Sequence, residues 1–438
     1  MTEEPLRERI SKWYKQNRQD VNLSIFLFTI SFLLKTSLYF MIGPYFNDSF
    51  EFTKTGGIAG VVRVVLFSNS TKTLPWQGFT DLWYFYIPYV DAFSHGWNPY
   101  TPLGLPNDPI SGIYNYGPLY IFFISIGTVF FSMDPLYSIL FSNILFDSLS
   151  VVVCYLIARQ YKDHMSSFLV ALTIMLSPAM LYYIDFKMLD IPQMLFFVLL
   201  FIYFAIREKT TAAVISLSFG FMTKLIPILI LPLYLVYLIR IYGRKKAQEQ
   251  TAIFLFNSLI LGIPTVYQHP VLFFQRLLNV GETPDNAINQ NLLSFTILDN
   301  LGFFLILIIY LLILYSNSEV INKDKVLHIL FYTGYLIGVH LTFTPLVSRG
   351  YKYYDTLFLP LLILVYFILL SKSKLRVKFG KVSCALLFIL GVHLLNVAIL
   401  NLPYEQTRNL HKTFLLALFL FLTLMINNNI RQTSSDEG

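Results

Sequence analysis

The chain has 438 residues, of which 55% are hydrophobic and 13% are charged, and its formal net charge is +7. This charged share is about half that of a typical soluble domain, which excludes a set of two or three soluble domains. In a membrane protein, lysine and arginine mostly report topology, so the positive charge does not by itself indicate a nucleic-acid partner. The two cysteines, Cys154 and Cys384, lie in apolar runs and predict neither a disulfide framework nor a zinc site.

Long apolar runs recur along most of the chain, and a bilayer core needs roughly 20 helical residues. The charged segment 1–20 has no small-residue cleavage site, so we predict no cleavable signal peptide. The sequence therefore predicts an all-α fold: a polytopic transmembrane helical bundle of about twelve spans, with surface helices in the first outer loop. The predicted spans are 23–46, 136–158, 165–183, 191–206, 210–224, 225–241, 251–267, 294–316, 327–345, 353–371, 382–400 and 412–428.

The apolar segment 117–133 is the difficult one, because it is short and is bounded by Gly117-Pro118 and Asp134-Pro135. If it does not cross the membrane, 21 of the 32 lysines and arginines lie inside together with both termini. If it crosses, every later loop flips and the most basic loops face out, against the positive-inside rule. We therefore predict that 117–133 lies along the interface or dips back. The short spans 210–224 and 225–241 could form a hairpin that only partly crosses.

This topology gathers the polar residues of interest on the outer face. Asp81 precedes an aromatic run of the kind found at membrane interfaces. Pro88 can start a short surface helix and Gly96 can end it. We expect Asp81 at the entrance of this helix, at headgroup depth, where a carboxylate could act as a general base towards a hydroxyl.

Several stretches, taken in chain order, resemble one family. FTDLWYFYIPYVDAFSHGWNPY (79–100), followed by IYNYGPLYIFF (113–123), resembles the first outer loop of C-type glycosyltransferases that use a polyprenyl-phosphate sugar. The stretches LSPAMLYYIDFKMLDIPQMLFF, GFMTKLIPILILPLYLV and SRGYKYYDTLFLPLL, which start at residues 176, 220 and 348, resemble later motifs of that family. The closest likeness is to dolichol-phosphate-mannose-dependent mannosyltransferases, including the first mannosyltransferase of glycolipid-anchor synthesis. Each motif is weak alone, but all map to one membrane face.

The resemblance implies a glycosyltransferase that moves a hexose, with mannose the first candidate, from a polyprenyl or dolichyl phosphate to a hydroxyl of a glycolipid, oligosaccharide or protein. It implies one integral membrane domain over 1–438. Its parts are the first outer loop with juxtamembrane helices (47–135), the rest of the catalytic module (136–241) and the C-terminal helices (242–428). The partners would be the lipid donor, the glycan or glycolipid acceptor and the bilayer, with no nucleic acid. The reaction would face the exterior of a prokaryotic plasma membrane or the lumen of the endoplasmic reticulum, with both termini cytoplasmic.

The same resemblance suggests roles for the outer-face residues. Asp81 is the predicted general base and Asp190 a second catalytic carboxylate, although Asp190 could instead pair with Lys187. Because the leaving group is a lipid phosphate, a cation should stabilise it as the glycosidic bond breaks. Lys224 is one such cation, although a lysine at a helix end can simply snorkel to the interface. The donor-phosphate candidates are Lys224, Lys187, Arg349 and Lys352, and the acceptor candidates are Asp91, Asn98, Tyr100 and Tyr116.

A metal site is not supported by the sequence. The closest mannosyltransferases have Asp-x-Asp at the catalytic position, whereas this chain has Asp81-Leu82-Trp83 and lacks the second carboxylate. The seven histidines show no metal-ligand spacing. We predict that no cofactor is required and that a chelator has little effect.

Two other classes of protein remain open. A transporter or lipid-linked glycan flippase explains twelve spans equally well, but it predicts ionisable residues deep in several spans and paired broken helices. A structural membrane protein predicts no convergence of acids and bases. Asn143 and Asp147, four residues apart in one span, predict a buried polar pair, and Lys35 within the first span has no explanation from the sequence alone.

The topology can be tested by labelling. If 117–133 does not cross the membrane, single cysteines placed near Asn107 and near Glu282 in a background without Cys154 and Cys384 should both react with an impermeant reagent from the outer face. Labelling from opposite faces would contradict the topology and would remove Asp190 from the site.

Overall fold

The structure is a computed structural model that describes residues 6–47, 82, 86–100, 116–177, 180–186, 188, 190–224, 226–267, 270, 360–361 and 363–364. Within these ranges all regular structure is helical, as the sequence predicts. The predicted spans after residue 270, apart from the short piece at 360–364, lie outside the described residues, so the count of twelve stays a prediction.

The helices follow the apolar runs closely. Three are long and apolar enough to cross a membrane: Tyr14–Met41, Pro135–Arg159 and Arg244–Val266. A π-helical turn, Leu181–Phe186, and a 3-10 turn, Ile226–Leu229, interrupt the series. The α-helices are α1 (Leu6–Asn47), α2 (Ile87–Ser94), α3 (Pro118–Phe131), α4 (Pro135–Arg159), α5 (His164–Met175), α6 (Pro192–Ile206), α7 (Thr210–Thr223), α8 (Ile230–Tyr242) and α9 (Arg244–Val266).

A charged cluster lies at one end of the bundle. We call this end of the bundle the Arg159 end. Asp20 of α1 accepts hydrogen bonds from Tyr155 Oη and Arg159 Nε of α4, both at 2.7 Å. His164 at the start of α5 places its Nδ1 2.9 Å from the same carboxylate. These contacts hold the first part of α1 against the end of α4 and the start of α5.

At the opposite end, which we call the Lys224 end, three helices meet. Asp190, just before α6, forms an ion pair with Lys224, just after α7. Gln193 in the first turn of α6 donates a 2.8 Å hydrogen bond to Asn143 in the first half of α4. α4 and α6 therefore start near this end, and α7 terminates there.

Helix α3 runs between helix ends that lie on this same side. Gly117, before α3, donates a 3.0 Å hydrogen bond from its N–H to the Thr223 carbonyl at the end of α7. Ser138, in the first turn of α4, donates a 2.6 Å hydrogen bond to the Ile124 carbonyl of α3. The 14 residues of α3 span about 21 Å, less than the roughly 30 Å of a bilayer core. These contacts place α3 beside the ends of α4 and α7, and the statement that 117–133 lies along the interface or dips back stays a prediction.

The surface helix α2 forms as the sequence predicts. Pro88 lies in its first turn. Gly96 adopts a φ of +87°, which a glycine tolerates without strain. The N–H groups of Gly96 and Trp97 donate to the carbonyls of Phe93 and Ala92, so the helix ends in a Schellman motif.

Candidate functional site

The centre of the candidate site is a buried ion pair between Asp190 and Lys224. The Asp190 side chain is fully buried, whereas 11% of the Lys224 side chain is exposed. A buried carboxylate without a cation would be strongly destabilising, so Lys224 compensates the charge of Asp190. The second oxygen, Asp190 Oδ1, accepts no hydrogen bond from the described residues. The pair therefore offers a cation that reaches the surface from a fixed buried anchor.

The local sequence around Lys224 explains its position. Helix α7 ends at Thr223, and Lys224 continues in an extended conformation with φ −155° and ψ 149°. A Cβ at Gly220 would lie 3.3 Å from Phe197 and 3.4 Å from Pro227, so only a glycine fits easily where the chain folds back. The Gly-x-x-x-Lys-x-x-Pro spacing thus presents the lysine at the helix end.

A close backbone approach brings a tyrosine under this lysine. A Cβ at Gly117 would lie 2.0 Å from the Met222 carbonyl oxygen, so the two backbones touch at this position. The preceding residue, Tyr116, places its ring centroid 5.7 Å from Lys224 Nζ, within the range of a cation–π contact. Two separate sequence motifs therefore meet at Lys224.

Other tyrosines hold Tyr116 in place. Tyr100 donates a 3.1 Å hydrogen bond from its hydroxyl to the Tyr116 carbonyl. Burial raises the pKa of Tyr100 well above its usual value, so this hydroxyl stays a neutral donor. The hydroxyls of Tyr86 and Tyr116 lie 3.3 Å apart. Of the predicted acceptor residues, Tyr100 and Tyr116 are therefore brought to the ion pair.

The other two acceptor candidates are placed differently. Asn98 donates through Nδ2 to the Thr265 carbonyl at 3.1 Å and accepts the Tyr100 N–H at 3.0 Å, so both ends of its amide join parts of the protein. Asp91 lies on the exposed face of α2, where its carboxylate is 3.8 Å from His95 Nδ1. Asn98 fixes the turn after α2 against α9, and Asp91 faces solvent.

Four predicted site residues, Asp81, Lys187, Arg349 and Lys352, lie outside the described residues. The neighbour of Asp81, Leu82, is described and is fully buried. Leu82 belongs to the same hydrophobic cluster as Tyr86, Tyr100 and Met188.

An apolar groove lies between two of the helices that end on this side of the bundle. It has a volume of about 470 Å³ and lies between the end of α7 and the last turns of α9. Met222, two residues before Lys224, lines one side, and Leu259 and Gly262 line the other. The groove therefore offers an apolar surface at the end of the helix that precedes Lys224.

A second buried charge cluster was missed by sequence reasoning. Lys35 of α1 forms ion pairs with Asp147 of α4 and with Asp185 of the π-helical turn, the latter at 3.7 Å. Asn143 and Asp147 are both buried, as predicted; Asn143 accepts the hydrogen bond from Gln193, and Asp147 pairs with Lys35. The sequence contains one signal for this cluster. Lys35 and Asp147 have opposite charges and lie in two apolar spans, and such charges pair inside a membrane bundle.

A metal centre is also absent from the described part of the chain, where no three His, Cys, Asp or Glu residues are grouped to hold an ion.

One stretch of the chain matches a known protein family. Residues 115–267 match the family model described as dolichyl-phosphate-mannose-protein mannosyltransferase. This stretch contains Tyr116, Asp190 and Lys224. The match confirms the resemblance to C-type glycosyltransferases that use polyprenyl-phosphate sugars, which the outer-face motifs indicated.

Among solved structures, the chain is similar to the archaeal oligosaccharyltransferase AglB from Archaeoglobus fulgidus, determined in complex with an inhibitory peptide and a dolichol-phosphate. The TM-score is 0.40 and the sequence identity is 14% over 88% of this chain. The chain spans 56% of the length of that protein. No curated protein matches the sequence.

The backbone contact at Gly117 predicts a sharp difference between two glycine substitutions. Gly117→Ala forces a methyl group onto the Met222 carbonyl, and overpacking of this kind costs about 1–3 kcal/mol. Gly262→Ala meets only the flexible end of the Met222 side chain, at 3.1 Å. We expect Gly117→Ala to lower the thermal midpoint of the purified protein and Gly262→Ala to leave it nearly unchanged. Equal midpoints for the two variants would contradict the contact.

Proposed function

We propose that this protein is a membrane glycosyltransferase that transfers a hexose from a polyprenyl or dolichyl phosphate to an acceptor hydroxyl. Mannose is the first donor sugar to test, and the acceptor would be a glycolipid, an oligosaccharide or a protein. The observation that carries the proposal is the Asp190–Lys224 ion pair, covered by Tyr116, inside the stretch that matches the mannosyltransferase family model.

The distribution of charge supports a site on the luminal or extracellular face. Apart from Lys35 and Lys224, the described lysines and arginines lie in segments at or beyond the Arg159 end. Basic residues favour the cytoplasmic side of a membrane. The Lys224 end would then face away from the cytoplasm, where the predicted outer-face motifs also lie.

Lys224 would bind the donor phosphate. As the bond between the sugar and the phosphate breaks, negative charge develops on the leaving phosphate, and a preorganised cation stabilises that charge. Asp190 orients the ammonium group from its buried side, and 11% of the lysine side chain is exposed.

The apolar groove supports a lipid-linked donor. A polyprenyl chain is apolar along its whole length, and the groove is lined by Met222, which lies two residues before Lys224 in the chain. A donor with its phosphate at Lys224 could therefore lay the first isoprene units between α7 and α9.

Asp81 would be the general base. In the proposed step, the acceptor oxygen bonds to the anomeric carbon, the lipid phosphate leaves with the bonding electrons, and Asp81 takes the proton of the hydroxyl. Leu82, the residue after Asp81 in the chain, is buried in the cluster that contains Tyr86 and Met188, which supports this proposal.

One observation favours the alternative of a transporter or flippase. The Lys35–Asp147–Asp185 cluster is a set of ionisable residues buried among the helices, which a transport pathway would require. Sugar transfer to an acceptor distinguishes the two functions, because a transporter leaves the glycosidic bond to the lipid phosphate intact.

The decisive assay supplies radiolabelled polyprenyl-phosphate mannose to membranes from expressing cells and identifies the labelled product. We expect Asp81→Asn to abolish transfer while the protein folds and binds donor, because the amide cannot accept the proton. A positioned base typically contributes about 10²–10⁴-fold. Asp91→Asn should retain activity, since Asp91 faces solvent. Normal transfer by a folded Asp81→Asn variant would reject Asp81 as the base and would make Asp190 the next candidate.

Metal dependence is a separate prediction: we expect the wild type to transfer sugar in the presence of a chelator.

The role of Lys224 can be separated from its structural effect. Lys224→Ala should weaken use of the lipid-phosphate donor far more than Lys209→Ala, since Lys209 is exposed at the other end of α7. Because Lys224→Ala leaves Asp190 without its cation, the double variant Lys224→Met with Asp190→Asn provides a neutral site of similar shape. We expect this double variant to fold and yet to have a strongly raised KM for the donor. If Lys224→Ala, Lys209→Ala and the double variant use the donor equally well, Lys224 does not belong to the site.

A further inference from the structure

The segment that carries Asp190 is irregular, which raises the question of what holds it. The described residues between the π-helical turn and α6, which are 188, 190 and 191, are not helical, and Met188 adopts a positive φ of 52°. A positive φ at a residue other than glycine costs of order 1–3 kcal/mol and persists only where the surroundings impose it. Side-chain contacts must therefore fix this segment.

Two such contacts come from the bundle. Met188 is buried, and its sulfur lies 3.8 Å from Asn143 Nδ2 of α4. Asp185, five residues before Asp190, is fully buried 3.7 Å from Lys35 Nζ. Among the described residues, Lys35 is the one cation within ion-pair distance of Asp185. The Asp185 contact involves two buried charges, so it is the stronger anchor.

We propose that Lys35 is a positioning residue for the reaction: through its ion pair with Asp185 it fixes the segment 180–190 and so places Asp190 against Lys224. This inference rests on the function proposed above. Lys35 also forms an ion pair with Asp147 of α4, which lies outside the segment. Lys35 touches neither member of the site pair and acts through Asp185.

The cluster contains an internal control. Two carboxylates share one ammonium group, so replacing either aspartate with asparagine leaves one Lys35–carboxylate pair. Asp147→Asn and Asp185→Asn therefore make the same change in charge, at sites that are both buried. They differ in the element that is released. Asp147 lies in the long helix α4, whereas Asp185 lies in the π-helical turn that precedes Met188 and Asp190.

The experiment compares these two variants of the full-length protein in the mannose-transfer assay. Misplacing a reacting group by about 1 Å can cost up to about 100-fold. We expect Asp185→Asn to lower kcat/KM by about 10- to 100-fold and Asp147→Asn to stay within about threefold of the wild type. Equal losses in the two variants, or no loss in Asp185→Asn, would overturn the proposal.

Hydrogen exchange gives a readout that does not depend on activity. Amide exchange in 180–190 should become faster in Asp185→Asn and remain as slow as the wild type in Asp147→Asn. If the wild type transfers no sugar, the proposed function fails, but the exchange rates still decide whether Lys35 holds the segment. Should Asp185→Asn not fold, Asp185→Glu takes its place, because it keeps the charge but displaces the carboxylate by one methylene. Wild-type exchange and wild-type kcat/KM in Asp185→Glu would overturn the proposal.

Discussion

The constraint on which the rest of this structure depends is the cost of a buried charge. In a chain with so few charged residues, each ionised side chain inside the bundle needs a partner of opposite charge, because the desolvation cost is several kcal/mol per ion. Lys35 and Lys224 supply the positive charges, and Asp147, Asp185 and Asp190 supply the negative ones. These pairs connect α1, α4, the π-helical turn, α6 and α7, so the pairing of charges selects which helices meet at the Lys224 end.

Close backbone packing complements these ion pairs. Gly117 lets the chain before α3 touch the end of α7, and Gly220 lets the 3-10 turn fold back on the same helix. Both glycines lie in motifs that the sequence shares with the glycosyltransferase family, and both remove a side chain that would separate two backbones. The motifs are therefore local solutions to one problem, which is to bring Tyr116, Asp190 and Lys224 together from distant parts of the chain.

Those parts of the fold that follow local rules could be predicted from the sequence. Pro88 and Gly96 bound α2, and α7 ends just before Lys224, because proline and glycine act on their own neighbours. The predicted span 165–183 was too long, since α5 ends at Met175, three residues before Pro178, and a π-helical turn follows. A proline disfavours a helical conformation in the residue before it.

Contacts between distant residues could not be predicted in the same way. Periodicity places Lys35 and Asp147 within their helices but does not say which faces meet. Asp185, which falls between the predicted spans 165–183 and 191–206, is buried against Lys35. The motif does not indicate that the amide of Asn98 joins Thr265 and Tyr100, and its role towards an acceptor stays a prediction. One sequence contains no information on such pairings beyond the requirement that buried polar groups find partners.

The charge balance of the site explains why the motif at 348–355 should be needed in addition to Lys224. Lys224 is already balanced by Asp190, so the described ion pair has no net charge. A phosphodiester donor has one negative charge, and the phosphomonoester that leaves has between one and two near neutral pH, since a second phosphate pKa lies near 6. Stabilising the transition state therefore requires positive charge beyond that of Lys224. Arg349 and Lys352, in the motif at 348–355 that the sequence assigns to the same face, are the residues we expect to supply it.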